Sequence, residues 1–282
     1  MFLLNGKAAD SISLQDRGLM YGDGLFETIA VRNQQFEFWH KHIQRLSEGC
    51  RRLSIPPPDP DILLAEARSL VTSDEDTVIK IVITRGSGGR GYRPPQQAHP
   101  NRVLTHYDWP RHPPENAIQG IVAIYCRNTI GMNKKLAGIK HLSRLEHVMA
   151  RNEWDDEAIA EGLMLNSSGH VIEGTMSNFF LVKKGRLCTP DLSKSGVAGI
   201  MRDVIFELAE SSQIPLKVGH FVTADVDGAD EMFFTNSLIG IWPVRQLEHK
   251  CYKLGPVAQT LMSSLESICL NHKSHEAVKS DV

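Results

Sequence analysis

The sequence predicts an α+β protein of two domains, and three observations carry that expectation. The chain has 282 residues, about twice a common domain length. Its strand-like segments cluster instead of alternating strictly with helices, which argues against a doubly wound sheet. The stretch WPRHPPEN, 109–116, holds three prolines and little apolar content, as a linker does. The expected organisation is an N-terminal domain over 1–108, a linker over 109–117 and a C-terminal domain over 118–282.

The elements follow in order. FETIAV (26–31) and QFEFW (35–39) read as a hairpin around Arg32, Asn33 and Gln34. Ile43, Leu46, Cys50 and Leu53 recur at steps of 3, 4 and 3, one face of a helix. Pro56, Pro57 and Pro58 stop it. Residues 62–71 predict a second helix. TVIKIVIT (77–84) is a strand that runs into the glycine-rich loop RGSGGRG (85–91), and 102–107 is another strand. Past the linker come a strand over 120–126, a glycine-bearing loop to Lys140 and a helix over 142–154. EGLMLN (161–166) and VIEGTMSNFFLV (171–182) read as strands. A helix opens near Gly199, EMFFTN (231–236) and IWPVRQL (241–247) are strands, and 257–270 is a last helix. The polar tail 274–282 is expected to fray.

Composition excludes several classes. Lys and Arg number 31 against 33 Asp and Glu, a formal net charge of -2. A generic nucleic-acid binder needs a basic excess. Hydrophobic residues make 41% and charged residues 23%, ordinary globular values. The five cysteines, Cys50, Cys126, Cys188, Cys251 and Cys269, are odd in number and form no C-x-x-C, so reduced thiols are expected. The N-terminus has no basic stretch followed by an apolar one, and no run of 18 apolar residues exists. The expectation is a cytoplasmic protein with no membrane segment. No H-E-x-x-H occurs, and His141 and His147, six apart, fall on different helix faces, so no metal is expected. RGSGGRG lacks the G-K-[ST] of a phosphate loop and no helix pattern follows it. It reads as a turn whose Arg85 and Arg90 still offer guanidinium forks to an anion. G-x-S-x-G and S-x-x-K are both missing.

Four places invite chemistry. Lys140 follows the apolar run Leu136, Ala137, Gly138 and Ile139. Desolvation there favours a neutral amine, which can attack a carbonyl to form a Schiff base; taken alone, the residue reads first as a snorkelling structural lysine. Glu173 sits inside an apolar strand and needs a partner, either a pyridinium nitrogen or an arginine. The first N–H groups of the helix at Gly199, Ile200 and Met201 could bind a phosphate, or simply meet water. Arg45 could reach the same anion, or pair with Glu48 or Glu37. In FETIAV, alternation turns Phe26 and Thr28 to one face and Glu27 to the other. Thr28 is either a hydroxyl donor or a plain β-branched strand former. An amine, a carboxylate for a pyridinium and a phosphate cup are what pyridoxal phosphate asks of a protein.

The motifs agree with that list. DRGLMYGDGLFETI (16–29), HIQRL (42–46), TRGSGGRGY (84–92), LAGIKHLSRLE (136–146), VIEGTMSNFF (171–180), GVAGIMR (196–202) and DEMFFTNSLIGIWPV (230–244) span the chain nearly end to end. As a set they resemble the fold type IV pyridoxal-phosphate enzymes, the group of branched-chain and D-amino acid aminotransferases and aminodeoxychorismate lyases. RGSGGRGY, GIKHLSRLE and FETI together look most like the lyases. The resemblance implies a smaller N-terminal α/β domain and a larger C-terminal pyridoxal 5'-phosphate-binding domain with a β-barrel-like core. It implies that Lys140 carries the cofactor and that Glu173 keeps the pyridine nitrogen protonated. Arg45, the backbone of Ile200 and Met201, and Ser237 stand where the phosphate is bound. Arg90 and Tyr92 fall where a substrate carboxylate is contacted, and Thr28 where a hydroxyl donates a proton. Ser143 stands where related lyases often have Asn. The implied reaction turns 4-amino-4-deoxychorismate into 4-aminobenzoate and pyruvate in folate synthesis, by a homodimer. An aminotransferase on the same fold is the alternative, and a non-catalytic phosphate-ligand binder a third reading.

Overall fold

The structure, a computed structural model, describes residues 1–277, with side chains through 268. The end of the polar tail expected to fray lies outside the described residues, and so does the Cys269 thiol. The chain forms two compact units.

The first unit comprises Met1–Arg111 and Ile139–Arg144. Its elements are β1 (Phe2–Leu4), β2 (Lys7–Ala8), α1 (Arg17–Tyr21), β3 (Gly24–Arg32), β4 (Gln35–Phe36), α2 (Trp39–Arg52), α3 (Pro60–Arg68), β5 (Thr77–Thr84) and β6 (Asn101–Asp108). The strands form one antiparallel sheet in the order β2-β1-β6-β5-β3-β4. Period-2 alternation decides its faces. Leu25, Ile29 and Val31 of β3 and Ile79, Ile81 and Ile83 of β5 join Ile43, Leu46 and Cys50 of α2 and Leu63 of α3 in one buried cluster. Asn33 and Gln34 both take positive φ, 48° and 61°, the two-residue turn whose twist matches a hairpin. The strand expected over 35–39 stops at Phe36, because Phe38 at φ 53° turns the chain into α2.

The helix α1 was not foreseen. Asp16 caps it by accepting from the N–H groups of Gly18 and Leu19, and Gly22 at φ 66° ends it. The larger departure concerns 139–144, expected inside the domain over 118–282. These residues add an extended segment to β3. Phe26 N donates to Lys140 O and Leu142 N to Gly24 O, each at 3.0 Å, and Leu25 bridges to His141. β4 pairs only with Val31 and Arg32, so the near end of β3 has main-chain groups to satisfy. Ile139 enters the core cluster and anchors the segment.

The second unit comprises His112–Gly138 and the chain from Leu145 onward. It holds α4 (Glu115–Ile118), β7 (Ile121–Tyr125), α5 (Leu145–Arg151), β8 (Ile159–Leu165), β9 (Val171–Gly174), β10 (Asn178–Lys183), β11 (Arg186–Pro190), α6 (Ile200–Ser211), β12 (Leu216–Gly219), α7 (Thr223–Asp227), β13 (Glu231–Asn236), β14 (Gly240–Leu247), β15 (Lys250–Cys251) and α8 (Pro256–Ala277). The strands β10-β13-β14-β7-β8-β9 close into a six-stranded barrel, because β9 pairs back to β10 at Glu173 and Asn178. β7 runs parallel to both its neighbours. β11 and β12, neither read from the sequence, extend the sheet beyond β10. Phe179, Leu181, Met232, Phe234 and Trp242 pack on one face, while Phe180 and Phe233 stack on the other, with Phe206 of α6 edge-on to Phe180.

The single strand expected over 171–182 is two strands around a tight turn. Glu161 of β8, fully buried, makes the turn. Its carboxylate accepts from the N–H of Thr175 at 2.9 Å and from the hydroxyls of Thr175 and Ser177 at 2.5 and 2.6 Å. Burial pushes the Glu161 carboxyl above its ordinary range, against these hydrogen bonds. α5 opens at Leu145, three residues later than expected, because 142–144 is spent on the segment beside β3.

Candidate active site

The first unit carries Lys140, Thr28, Arg45, Arg90 and Tyr92. Lys140 is held by its backbone beside β3, not at a helix start. Its Nζ lies 4.4 Å from the centroid of the Phe26 ring. Thr28 follows Phe26 on the same face of β3, opposite the core face. Glu27 points the other way and is completely buried. There Arg45 of α2 grips it with two bonds, Nε to Oε1 at 2.8 Å and Nη2 to Oε2 at 2.5 Å. His42 Nδ1 stands 2.7 Å from Oε2. Burial alone would raise the Glu27 carboxyl, but the Arg45 charge and the His42 bond outweigh it and hold it at about 2. Burial pushes His42 below its ordinary value despite Glu27. The partners expected for Arg45 are occupied elsewhere: Glu48 pairs with Arg51 and Glu37 faces Arg32. The signal for Glu27 was present, a carboxylate in an apolar strand, the same signal that singled out Glu173.

The loop 85–92 corrects one expectation. Arg85 offers no fork to a ligand. Its Nε and Nη2 bind Asp23 at 2.7 and 3.0 Å, and its Nη1 and Nη2 donate to the carbonyls of Ser54 and Leu53. Arg17, 3% exposed, also binds Asp23 and donates to the carbonyls of Gly91 and Tyr92 at 3.0 and 3.1 Å. Gly91 N donates to the Tyr21 hydroxyl. The loop is thus pinned from within, by residues of the motif at 16–29 whose roles the sequence did not disclose. Arg90 is exposed and makes no hydrogen bond or ion pair among the described residues. Tyr92 is 88% exposed, with its ring edge-on to Tyr21.

The second unit carries Glu173, Ile200, Met201 and Ser237. Glu173 on β9 is 3% exposed. Its Oε2 accepts from Val197 N at 2.8 Å and from Asn178 Nδ2 at 3.4 Å, and its Oε1 lies 3.0 Å from His147 Nε2. No arginine or lysine hydrogen-bonds it among the described residues, so the arginine alternative falls. His147 was not singled out for this role. Ala150 packs α5 against Met164 and Ile172, and His147, three residues earlier, shares that helix face. Its buried Nδ1 has no hydrogen-bond partner. Gly196, at φ 83°, leaves room for the carboxylate: a Cβ would come within 3.2 Å of Glu173 Oε2.

Ile200 and Met201 open α6, with side chains buried and main-chain N–H groups in the first turn. Gly199 caps the helix without a side-chain bond, and a Cβ there would collide with Asn178 Oδ1. First-turn N–H groups with a positive dipole end suit an anion. Ser237 lies in the turn after β13, which Asn236 shapes by accepting from the N–H of Leu238 and Ile239.

A family model described as amino-transferase class IV matches residues 24–247. An aminodeoxychorismate lyase of Vibrio harveyi is 37% identical over 271 residues, covering 95% of this chain and 100% of that protein. Among solved structures, the 4-amino-4-deoxychorismate lyase of Pseudomonas aeruginosa is 43% identical with a TM-score of 0.91, covering 95% of this chain and 98% of that one. The branched-chain amino acid aminotransferase of Escherichia coli is 23% identical with a TM-score of 0.85, covering 94% and 93%; that likeness speaks for the fold alone.

Proposed function

The chain belongs to the amino-transferase class IV family, and from that premise we infer that it is a pyridoxal 5'-phosphate-dependent lyase that converts 4-amino-4-deoxychorismate to 4-aminobenzoate and pyruvate. The observation that carries the reading is Lys140 beside β3, its Nζ 4.4 Å from Phe26 on the face that also presents Thr28. An amine base and a hydroxyl donor presented on one face of the sheet suit the removal of an enolpyruvyl group.

The residues fit the cofactor. Glu173 is a buried carboxylate that no arginine or lysine hydrogen-bonds among the described residues; its partners are an amide, a main-chain N–H and the His147 imidazole, a setting that suits a ligand's cation. The N-terminus of α6 has a glycine cap and no side-chain bond, suited to a phosphate. When bound, the cofactor withdraws electrons from the carbon that bears the substrate amine. Lys140 would carry it through Nζ until the substrate amine takes its place there, and the amine so freed would take the proton from the amine-bearing ring carbon. Glu173 keeps the ring nitrogen protonated. Arg45, the N–H groups of Ile200 and Met201, and Ser237 bind the phosphate. Arg90 and Tyr92 contact a carboxylate of the substrate. Thr28 protonates the departing enolpyruvyl group. Aromatisation of the ring makes release downhill.

The family model itself, described as amino-transferase, supports the second reading, an aminotransferase on the same fold. One experiment separates the two. The protein is given 4-amino-4-deoxychorismate with no amino-group acceptor. The lyase yields 4-aminobenzoate and pyruvate in equal amounts; product that appears only with an added keto acid makes it an aminotransferase.

The working form is a homodimer. Leu145, Val148 and Met149 of α5, spaced i, i+3, i+4, are 69, 61 and 51% exposed, an apolar face suited to a second copy. Sedimentation equilibrium checks this. No helix among the described residues is long and apolar enough to cross a membrane. The free thiols Cys50, Cys126 and Cys188 are buried, and a cytoplasmic location, which keeps thiols reduced, agrees with them.

A further inference from the structure

The hydrogen bonds of Glu173 fall unevenly on its two oxygens. Oε2 accepts from Val197 N at 2.8 Å and from Asn178 Nδ2 at 3.4 Å. Oε1 meets His147 Nε2 alone among the described residues, at 3.0 Å. A carboxylate offers about two acceptor sites on each oxygen. The site left over is therefore on Oε1, the oxygen that His147 holds.

His147 is brought there by a helix that is fixed on both sides of it. Glu146 Oε1 accepts from Gly131 N at 3.1 Å, and Ala150 packs α5 into the cluster of Met164 and Ile172. The imidazole itself is 13% exposed, and its Nδ1 is buried with no hydrogen-bond partner. The missing partner selects the tautomer. The Nδ1–H tautomer and the imidazolium each put a hydrogen on Nδ1, where nothing accepts it. Buried N–H groups without a partner are rarer than bare acceptors. Nε2 therefore carries the hydrogen and donates it to Oε1, and the ring brings no charge.

The identity of the donor matters to the carboxylate. An arginine at this place would compensate Glu173 and leave it little to offer a ligand's cation. Arg202 feels the charge of Glu173, yet its Nη2 donates to the Pro190 carbonyl instead. A neutral donor aligns the carboxylate and leaves its charge in place.

We propose that His147 is a positioning residue: its neutral Nε2–H fixes Glu173 Oε1 as the atom that accepts the ring N–H of the cofactor. The inference rests on the reading that Glu173 keeps that ring nitrogen protonated, and it names the oxygen that does so and the group that aims it.

The test uses holoenzyme freed of its cofactor and titrated with two compounds. One is pyridoxal 5'-phosphate; the other is 1-deazapyridoxal 5'-phosphate, which has C–H in place of the ring nitrogen. The wild type should prefer the first. His147→Leu should lose about 10-fold of that preference, the scale of one hydrogen bond to a charged group, with its affinity for the deaza compound unchanged. His147→Ala replaces it should the leucine variant not fold. His147→Gln should restore the preference, because a glutamine amide nitrogen reaches about where the imidazole Nε2 stands. Nitrogen-15 NMR of the histidine-labelled holoenzyme, with the His147 signals assigned by their loss in His147→Gln, should place the hydrogen on Nε2. An undiminished preference in His147→Leu, an equal loss for both compounds, or a hydrogen on Nδ1 overturns the proposal alone. A wild type that binds both compounds alike overturns the part given to Glu173, and the proposal with it.

Discussion

Arg45 holds Glu27 by two parallel bonds, at 2.8 and 2.5 Å, between α2 and the core face of β3. A residue of this strand is thereby fixed against the helix that supplies a proposed phosphate ligand. The next residue, Thr28, faces the other way, toward Phe26 and Lys80. The pair sets the register in which one strand serves both.

This arrangement predicts how stability depends on pH. The Glu27 carboxyl is held at about 2, below its ordinary 4.5. Its contribution is complete above about pH 4.5 and is lost as pH falls toward 2. His42 is also depressed, below 6.5. Its contribution is complete above 6.5 and declines below it, because the unfolded imidazole takes up a proton first. Urea midpoints should fall from pH 6.5 downward and most steeply below 4.5. Glu27→Gln should cost about 3 kcal/mol at neutral pH, as for a broken buried pair, and should flatten the acid step. An acid step of unchanged size in Glu27→Gln would assign that step to other carboxylates.

Lys140 should carry the cofactor covalently. Borohydride reduction of the holoenzyme followed by peptide mapping should place the label on Lys140. Label on Lys134 or Lys135 would contradict the assignment. Lys140→Ala should lose turnover yet still bind some cofactor non-covalently.

Glu173→Gln should keep the fold, since an amide can occupy the same site beside Val197 and Asn178. It cannot keep the ring nitrogen protonated. Turnover should drop roughly 10²-fold or more, on the scale of other electrostatic site groups, with circular dichroism unchanged. Near-normal turnover would make Glu173 purely structural.

Thr28→Val keeps the shape of the strand and removes only the hydroxyl. Substrate binding should survive, seen as the shift in cofactor absorbance on mixing. Release of 4-aminobenzoate should slow by roughly 10²-fold or more, as for a lost general acid. Unchanged release would mean that the leaving group takes its proton from Lys140 or water.

Local periodicity determined much of this protein from the sequence alone. Alternation in FETIAV and TVIKIVIT assigned faces to β3 and β5, steps of three and four marked the buried side of α2, and glycine before IMR marked the start of α6. These patterns are legible because burial acts on neighbours two to four residues apart. Lys140, Glu173 and Arg45 stood out for a related reason, a charged group set in apolar sequence. Tertiary structure alone decided which partner each charge takes. Arg45 found Glu27, 18 residues away, and not Glu48 or Glu37; Arg85 was claimed by Asp23, 62 residues away. Glu161 bent 171–182 into two strands, and the near end of β3 drew 139–144 to itself. Each of these satisfies a buried polar group, and a buried polar group must be satisfied by whichever partner the packed chain brings within about 3 Å. Sequence spacing does not contain that distance, so the long-range partners became visible only once the chain was folded.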